Sequence, residues 1–410
     1  MKSVEQHVAD VLALIAEPEP TRLDLIQAHG TVLAEAITSP VSLPGFDNSS
    51  MDGYAVHAAD LAPATPESPV RLPVVADIPA GDPSPTAVLP GMCARIMTGA
   101  PMPSGADAVV PVEWTDGGTT RMTVDRPVKV GNAVRRAGDD VVEGTTVLHP
   151  GVRIGPGEMG ILAAVGRRSV PAYPRPRVVV LSTGEELVEP GHPLGPGQIW
   201  ESNSFMVAAA ALEAGCEVHR HGFVGDDPET VLDTLEGLLV RADIVVTTGG
   251  VSMGAHDVVK QVLTRQGTVE FTQVAMQPGK PQGFGTIGPD RTPIITLPGN
   301  PVSAFVSFQI FVRPALRKLR GLDPDPLPST RATLTSPVAS PKGRRSYLRA
   351  VLEESPHGRG ADATVSPAFH QGSHQLSALA GANALVVVPE EVTEVVAGTS
   401  VQVLRLPRPQ

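Results

Sequence analysis

The chain has 410 residues, more than one hydrophobic core usually holds, so we expect two to four domains. Apolar residues make up 41% of it, which excludes a disordered chain, and a formal net charge of -11 argues against nucleic acid or anionic lipid as the main partner. The two cysteines, Cys93 and Cys216, are too few for a disulfide framework or a four-cysteine zinc site.

The N-terminus predicts a helix rather than a signal peptide, because apolar and acidic residues are interleaved at helical spacing. The apolar positions are Val4, Val8, Val11, Leu12 and Ile15. A second helix is predicted over 22–37, "RLDLIQAHGTVLAEAI". No uninterrupted apolar run is long enough to span a bilayer, so we expect a soluble, cytoplasmic protein.

Over the next hundred residues or so the hydrophobic pattern changes from helical to β-like. Short β-like runs ("VRLPVVADI", "CARIMTG" and "DAVVPVEW") alternate with proline and glycine turns over 45–140, which predicts a β-rich domain. A helix-like piece, "GEMGILAAVG", follows at 157–166. If it packs back on the N-terminal helices, residues 1–44 and 141–174 form one discontinuous helical domain with 45–140 inserted in it.

A βαβ alternation begins near residue 175. Apolar runs such as "RVVVLSTG", "DIVVTTGG" and "TPIITLPGN" read as buried strands, and helical patterns separate them. This predicts a parallel sheet covered on both faces, over 175–325. A proline-rich linker (321–330) precedes short strands that predict a C-terminal β domain over 326–410. The expected fold class is therefore α/β plus β, in a multidomain chain.

Polar residues cluster where the predicted strands end. The four strand ends carry Glu185, Glu186, Asp226, Asp227, Gly249, Gly250, Ser252, Asp257, Asn300 and Ser303. Ligands of open α/β sheets bind at the carboxyl ends of the strands. The sequence therefore predicts a site at this edge of the sheet.

Several of these residues also have a structural interpretation. Asp227 precedes a proline and is typical of a helix cap, which leaves Asp226 as the better functional candidate. Asp257 and the Asn300–Pro301 pair can likewise cap helices, and Glu186 can be a solvated loop acid. A cap does not exclude binding, because a helix N-terminus offers N–H groups to an anion.

The predicted chemistry is that of a phosphate site. Glycines in "TTGG" let backbone N–H groups approach an oxyanion, and Lys280 is a candidate cation near it. Carboxylates beside phosphates repel them unless a divalent cation lies between, and oxygen ligands favour Mg²⁺. Zinc is disfavoured, because Gly372 lies between His370 and His374 and breaks the helix that their pairing needs.

Eight stretches, in this order along the chain, resemble one family. They are "LPGFDNSSMDGYAV", "RIMTGAPMPSGADAVVPVE", "RRAGDD", "STGEEL", "TTGGVSMGAHD", "PGKP", "LPGNPVS" and "HQGSHQLSALAGAN". Together they resemble the molybdopterin molybdenumtransferases, the MoeA family, which includes the C-terminal domain of gephyrin. The resemblance covers nearly the whole chain.

The resemblance implies a reaction and an assembly. Adenylylated molybdopterin and molybdate would give molybdenum cofactor and AMP, with Mg²⁺ present. A molybdopterin adenylyltransferase would be the upstream partner. The family's homodimer would place the second domain of one subunit, with "FDNSSMDGYAV", against the α/β domain of the other.

The matching motifs also imply site residues. The catalytic set is Asp52, Thr98, Asp140, Glu186, Asp226 and Asp257, and the last three of these would hold Mg²⁺. The substrate-binding set is Gly249, Gly250, Ser252, Lys280, Pro298, Asn300, Pro301, Ser303, Arg344 and Ser373. Hydroxyls and an arginine fork suit a tetrahedral dianion such as molybdate.

The chain departs from the family at one charged position. Gln277 stands in "MQPGK" where many relatives have lysine, so one positive charge is missing from the expected oxyanion site. Arg345 is a candidate to replace that charge. "STGEEL" in place of "STGDEL" keeps the charge.

Two other functions remain open. One is the molybdopterin adenylyltransferase, although such enzymes consist of little more than the α/β domain. The other is a non-catalytic pterin-binding or scaffold protein, which a lost site acid or an appended interaction segment would favour.

Overall fold

The computed structural model describes residues 1–81, 86–224, 227–251, 258–265, 269–325, 327–354 and 363–407. These fall into two units: unit 1 comprises Met1–Leu23, Gly30–Ala34 and Pro171–Gln410, and unit 2 comprises Asp24–His29 and Glu35–Val170. The predicted fold class is confirmed. The division into four domains stays a prediction.

The elements of the first 173 residues are mostly short strands. In chain order they are α1 (Val4–Leu14), β1 (Thr21–Asp24), α2 (Leu25–Ala28), β2 (Val32–Leu33), β3 (Ile37–Thr38), β4 (Asn48–Ser49), β5 (Gly53–Val56), β6 (Val70–Ile78), β7 (Cys93–Ile96), β8 (Ala108–Pro111), β9 (Arg121–Val124), β10 (Val134–Arg135), β11 (Thr146–Leu148), α3 (Pro156–Ala164) and β12 (Ser169–Tyr173). In the described part of this region, 3-10 turns lie at Ala58–Leu61 and Val112–Trp114.

The predicted helix over 22–37 is wrong. The segment forms β1, the four-residue helix α2 and the strands β2 and β3. Gly30 has φ +77°, which ends helical geometry, and the following Val32 and Leu33 are both fully buried. Two consecutive buried residues fit a strand, and here they pair with Tyr173 and Ala172 of β12. By contrast, the helices predicted at α1 and α3 are confirmed.

Unit 2 is built on a five-stranded sheet with the order β8-β5-β7-β6-β9. The three β runs predicted from the sequence are its strands β6, β7 and β8. Gly53 opens strand β5, which lies between β8 and β7, and a Cβ there would lie 2.0 Å from the carbonyl oxygen of Val110. Only glycine therefore permits the close approach of β5 to β8.

Unit 1 contains the α/β sheet. Its elements are β13 (Arg177–Thr183), β14 (Leu187–Val188), β15 (Ile199–Trp200), α4 (Asn203–Glu213), β16 (Glu217–Val224), α5 (Pro228–Leu239), β17 (Ile244–Thr248), α6 (Val258–Arg265), β18 (Val269–Gln273), β19 (Met276–Gln277), β20 (Pro281–Ile287), β21 (Thr292–Leu297), α7 (Pro301–Ser307), a π-helical turn (Phe308–Val312) and α8 (Arg313–Leu319).

This sheet has six strands in the order β16-β13-β17-β21-β20-β18. The first four are parallel, as predicted. The last two are antiparallel to their neighbours, which the sequence did not predict. Val178 and Val180 of β13 pack into one hydrophobic core while Val179 and Leu181 pack into another, so both faces are covered as expected.

Helix α1 packs on this sheet. Its Val11 and the following Ile15 belong to the same core as Val178 and Leu316 of α8. Helix α3, by contrast, lies in unit 2, as does α2. The N-terminal residues therefore contribute to the core of the α/β domain.

The C-terminal strands close on themselves. The elements are β22 (Ser329–Leu334), β23 (Val338–Ala339), β24 (Arg345–Glu353), β25 (Thr364–Pro367), α9 (Leu376–Ala380), β26 (Ala384–Val388), β27 (Glu394–Val395) and β28 (Ser400–Arg405). The strands β24-β25-β22-β28-β26 form a ring in which β26 pairs back to β24. No helix in the described part of the chain is long and apolar enough to cross a membrane.

Three distant stretches meet at the strand β19. It runs parallel to the start of β24, with Gln277 beside Ser346. Lys2 bridges to Val274, and the Ala275 N–H donates to the Lys2 carbonyl at 2.8 Å. The α/β domain, the C-terminal ring and the chain start thus share one hydrogen-bond seam.

Candidate active site

A cavity of about 590 Å³ lies at the carboxyl ends of β13, β17 and β21, the edge where the sequence predicts a site. Its described lining consists of Thr183, Glu186, Leu187, Ile199, Trp200, Glu201, Ser202, Asn203, Thr248, Gly249, Gly250, Val251, Pro281, Pro298, Gly299, Asn300, Pro301, Ser303 and His374. This volume is in the range of small-molecule sites.

The "TTGG" turn forms one wall of the cavity. Gly249 and Gly250 have φ values of 87° and 75°, which favour glycine. A Cβ on Gly249 would lie 2.7 Å from the carbonyl oxygen of Thr183. The glycines therefore let the ends of β13 and β17 approach each other and leave peptide groups bare beside the cavity.

Glu186 lies on the loop after β13. Gly184 has φ 151°, and a Cβ on it would lie 2.5 Å from the Glu186 carboxylate, so the carboxylate folds back over this glycine. The Ile199 N–H donates to the Glu186 carbonyl at 2.8 Å. This bond ties the loop to the short β14–β15 ladder, in which Leu187 pairs with Ile199.

A buried hydrogen-bond network joins the two strand ends beneath the cavity. The Glu201 carboxylate is 1% exposed and accepts bonds from the Ser182 hydroxyl (2.8 Å) and from the N–H (2.7 Å) and hydroxyl (2.6 Å) of Ser204. The Ser182 and Thr248 hydroxyls are 2.8 Å apart. Arg220 lies 3.9 Å from Glu201 and offsets its charge. Strand ends β13 and β17 are thereby held in register at the site.

Most of the predicted substrate-binding residues of the described chain line this cavity. Those that do are Gly249, Gly250, Pro298, Asn300, Pro301 and Ser303, together with Glu186 of the catalytic set. Asp226, Ser252 and Asp257 lie outside the described residues. Asp227 caps α5, its carboxylate accepting the Thr230 N–H at 2.8 Å, as predicted.

The three remaining members of the substrate set lie outside the lining. Lys280 precedes the lining residue Pro281, and Ser373 precedes His374, with the Ser373 carbonyl accepting the Val302 N–H at 3.0 Å. Arg344 donates to the Gln277 side chain at 3.2 Å. Among the described lining residues there is no lysine or arginine.

Arg345 does not replace the charge missing at Gln277. Its guanidinium forms ion pairs with Glu5 and with Glu390, the latter at 2.9 Å. Burial works against the charged form, but hydrogen bonding to Glu5 and the electrostatic interactions with Tyr347, Glu390 and Glu5 outweigh it and raise the pKa of Arg345. Arg345 is thus committed to the packing of α1 on the C-terminal ring.

The predicted catalytic residues of unit 2 include one contacting pair. The N–H and hydroxyl of Thr98 both donate to one Asp52 carboxylate oxygen, at 2.7 and 2.8 Å. These two bonds lower the pKa of Asp52. Asp52 is exposed, so it is an ionised group presented to the outside of unit 2.

Asp140 lies on a loop tied to the segment before Asp52. Asp47 accepts bonds from the Arg136 guanidinium (2.6 Å) and the Ala137 N–H (2.8 Å), and the Asp140 N–H donates to the Leu43 carbonyl at 3.0 Å. The structure thus holds the "RRAGDD" loop against the start of "FDNSSMDGYAV".

The polar residues of "FDNSSMDGYAV" divide into two groups. Asn48 and Ser49 are buried and bonded locally, so their role is structural. Asp52 is exposed, and Phe46 and Met51 near it are 53% and 40% exposed. The segment therefore presents an acid flanked by apolar side chains.

Sequence reasoning missed several residues of the cavity. Thr183, Trp200, Glu201, Asn203 and His374 all line it. The available signal was the stretch "WESN" at 200–203, which runs into the first residue of α4 and brings tryptophan, acid and amide together. No strand in that stretch is long enough to be recognised from the sequence, so its pattern indicates only the start of a helix.

Arg349 was missed as well. It is 1% exposed, and its guanidinium donates to the carbonyls of Gly372 (3.0 Å) and His370 (2.8 Å). These bonds hold the loop that carries Ser373 and His374. The alternation of "YLRAVLE" places Arg349 on the face opposite to Leu348, Ala350 and Leu352, which belong to one hydrophobic core, so it gave no signal that Arg349 is buried.

The described donors suit a hard cation. The oxygens of Glu186, Thr183 and Thr248 line the cavity, with His374 as the lone imidazole and no thiol among the described lining residues. In the described part of the chain no group of three or more His, Cys, Asp or Glu is arranged to hold a metal. Two of the three predicted Mg²⁺ ligands, Asp226 and Asp257, lie outside that part.

Comparisons with known proteins cover nearly the whole chain. Three family models match it: the MoeA N-terminal region (domain I and II) over residues 2–166, a probable molybdopterin binding domain over 179–318, and the MoeA C-terminal region (domain IV) over 331–406. Molybdopterin molybdenumtransferase 2 of Mycobacterium tuberculosis is 48% identical over 410 residues, 98% of this chain and 99% of that protein.

More distant relatives agree. The molybdopterin molybdenumtransferase of Haemophilus influenzae is 36% identical over 409 residues, 98% of each chain. The solved structure of a molybdopterin biosynthesis MoeA protein from Pyrococcus horikoshii superposes with a TM-score of 0.80 at 32% identity, again over 98% of both chains. The likeness thus extends through both units.

Proposed function

This chain belongs to the MoeA family of molybdopterin molybdenumtransferases, and we propose that it inserts molybdate into adenylylated molybdopterin with release of AMP. It is accordingly an enzyme of molybdenum cofactor biosynthesis. In the proposed reaction water or a molybdate oxygen attacks the AMP phosphorus, the phosphoanhydride bond to the pterin phosphate breaks and AMP leaves, while the two dithiolene sulfurs replace molybdate oxygens, which leave as water.

The observation that carries the proposal is the cavity at the carboxyl edge of the sheet. It combines a bare-backbone turn at Gly249 and Gly250 with the Glu186 carboxylate and the Ser303 hydroxyl. Bare N–H groups suit a phosphate, and a positioned carboxylate suits activation of an attacking oxygen. Glu186 and the unit 2 acids Asp52 and Asp140 would orient that oxygen against the AMP-linked phosphate.

Mg²⁺ fits the oxygen donors of the site. Glu186 would hold it, with Asp226 and Asp257, and Lys280, Arg344, Ser303 and Ser373 would receive the molybdate oxygens. When bound, the ion polarises the phosphoryl oxygens and offsets their repulsion from the carboxylates.

The proposed site is shared between the subunits of a homodimer. Asp52 is an exposed, ionised acid beside the exposed side chains of Phe46 and Met51, which suits a surface that a partner covers. In this arrangement the unit 2 acids of one subunit complete the cavity of the other. A cytoplasmic molybdopterin adenylyltransferase would supply the substrate.

The first test measures AMP release from adenylylated molybdopterin with Mg²⁺, in the presence and absence of molybdate. Release that depends on molybdate and yields active cofactor is the expected result. Tight binding of the substrate without release would instead indicate a pterin-binding or scaffold protein. Formation of the adenylylated pterin from nucleotide and free pterin would indicate the adenylyltransferase.

A mixing experiment tests the shared site. Asp52→Asn and Glu186→Gln proteins are each expected to be inactive as homodimers. If each site takes Asp52 from one subunit and Glu186 from the other, re-equilibrated mixtures contain heterodimers with one intact site, which restores about a quarter of the wild-type rate. No recovery in a mixture shown to contain heterodimers would place both residues in the site of a single subunit.

A further inference from the structure

We propose that the indole of Trp200 stacks on the planar heterocycle of the substrate and so orients it for the reaction. The inference rests on the proposed function and names a residue for ring recognition, which none of the predicted site residues supplies. The shared chemistry is a flat nitrogen heterocycle joined to phosphate, and both the adenine and the pterin of the adenylylated substrate have it.

The indole of Trp200 is fixed in place yet half exposed. Its Nε1–H donates to the His192 carbonyl at 2.9 Å, which satisfies the only polar atom of the side chain. The side chain nevertheless keeps 53% of its surface exposed, and it lines the cavity. A tryptophan held through its N–H offers mainly aromatic surface to a neighbour.

The cavity lining contains both polar and apolar groups. Thr183, Glu186 and the Gly249–Gly250 turn contribute polar groups, while Leu187, Ile199 and Trp200 contribute apolar side chains. A phosphorylated heterocycle has the same division, with charge at one end and an aromatic plane at the other. Leu187 pairs with Ile199 on the two-strand ladder, and Trp200 follows Ile199 on the same strand.

Trp200 is also coupled to the proposed catalytic acid. Ile199, the residue before it, donates its N–H to the Glu186 carbonyl at 2.8 Å, and Glu201, the residue after it, donates its N–H to the Val188 carbonyl at 2.8 Å. A ring seated on the indole would therefore lie at a fixed offset from the Glu186 loop. Stacking would position the phosphate as well as add affinity.

The experiment uses the small number of tryptophans. The chain has only two, and the other, Trp114, lies in unit 2 with its ring 5.5 Å from the Arg126 guanidinium. Trp114→Phe thus leaves Trp200 as the single tryptophan reporter. Its fluorescence is titrated with AMP, with a soluble free pterin and with molybdate alone, and free tryptophan amide serves as the control for absorption by the ligands.

Stacking predicts saturable quenching by AMP, by the pterin or by both, and no quenching by molybdate alone. The probe that quenches identifies which ring the indole receives. In the full reaction Trp200→Ala is expected to raise KM roughly tenfold, and Trp200→Phe to restore most of the loss, because stacking tolerates a change of aromatic ring. Ile199→Ala, on the same ladder, is the matched control and should change KM less.

The outcomes separate the two proposals. Normal AMP release with no quenching by either ring and an unchanged KM in Trp200→Ala would overturn stacking and leave the transferase proposal intact. Quenching by a ring without any molybdate-dependent AMP release would support stacking and overturn the proposed function. Equal KM changes in Trp200→Ala and Trp200→Phe would also contradict stacking, because they would indicate a merely structural role.

Discussion

Replacing His7 with leucine should remove a large part of the acid sensitivity of unit 1. His7 is fully buried on α1, and its ring meets those of Phe284 and Phe311 edge-on at centroid distances of 5.0 and 4.6 Å. In the described part of the chain neither ring nitrogen has a hydrogen-bond partner. Burial lowers the pKa of His7 to about 4, with Lys2 adding to the decrease and Asp10 opposing it.

The direction in which stability changes with pH follows from the lowered pKa of His7. The unfolded chain binds a proton on His7 near its ordinary pKa of 6.5, whereas the folded chain binds it only near about 4. Stability from the neutral ring is therefore present above the unfolded pKa and is lost as the pH falls toward the folded one. A difference of about 2.5 pKa units corresponds to roughly 3.4 kcal/mol.

The assay is urea unfolding of wild type and His7→Leu at several pH values between about 7 and about 4.5, a window within which most of this loss falls. The difference between the two proteins cancels the titration of the other acids. As the pH falls, the free energy of unfolding of His7→Leu should rise steadily relative to that of wild type, by about 2 to 3 kcal/mol at the lowest pH. A difference that stays constant across this range would refute the reasoning.

Three further predictions concern the proposed site. Asp52→Asn should keep the contact with Thr98 and the assembly state, because an amide oxygen still accepts both hydrogen bonds. It should lower the rate of molybdate-dependent AMP release by a factor of about 10² or more. A near-normal rate would remove Asp52 from the catalytic set. Glu201→Ala leaves buried hydroxyls without an acceptor and should lower the free energy of unfolding of unit 1 in urea by about 1–3 kcal/mol. The control Glu189→Ala removes a half-exposed carboxylate and should lower it by less than about 1 kcal/mol. Equal losses of unfolding free energy would contradict a special role for the buried network. Gln277→Lys should lower the molybdate concentration for half-maximal AMP release by roughly fivefold, because a charged donor replaces a neutral one; an unchanged dependence would place Gln277 outside the oxyanion site.

The α/β domain could be predicted from the sequence because the strands of its sheet are buried. Strands such as Ile244–Thr248 are buried on both faces and read as continuous apolar runs between helical patterns. The antiparallel pair β18 and β20 was missed, because glycines, prolines and polar residues in "FTQVAMQPGKPQGFG" hide the strand alternation. The 22–37 segment failed for the opposite reason: its composition favours a helix, and the turn at Gly30 overrides it.

The site could be predicted only in part. Loop residues that follow long strands, such as Glu186 and Gly249, were placed because strand order in an α/β sheet fixes where the strand ends meet. Trp200, Glu201 and Arg349 were missed because their positions depend on two-residue ladders or on the inside of a closed ring. No periodicity extends far enough through such elements to predict them.

The seam at β19 has a consequence for how the chain folds. Residues 2, 275 and 345 share its hydrogen bonds, so β19 lacks its ladder partner β24 until the C-terminal ring has been synthesised. Contacts that join residues so far apart close slowly. A fragment ending in the proline-rich linker would keep its central strands but leave β19 as an unpaired edge. The α/β domain of this protein is therefore expected to aggregate when produced alone, and to need its C-terminal ring as a folding partner.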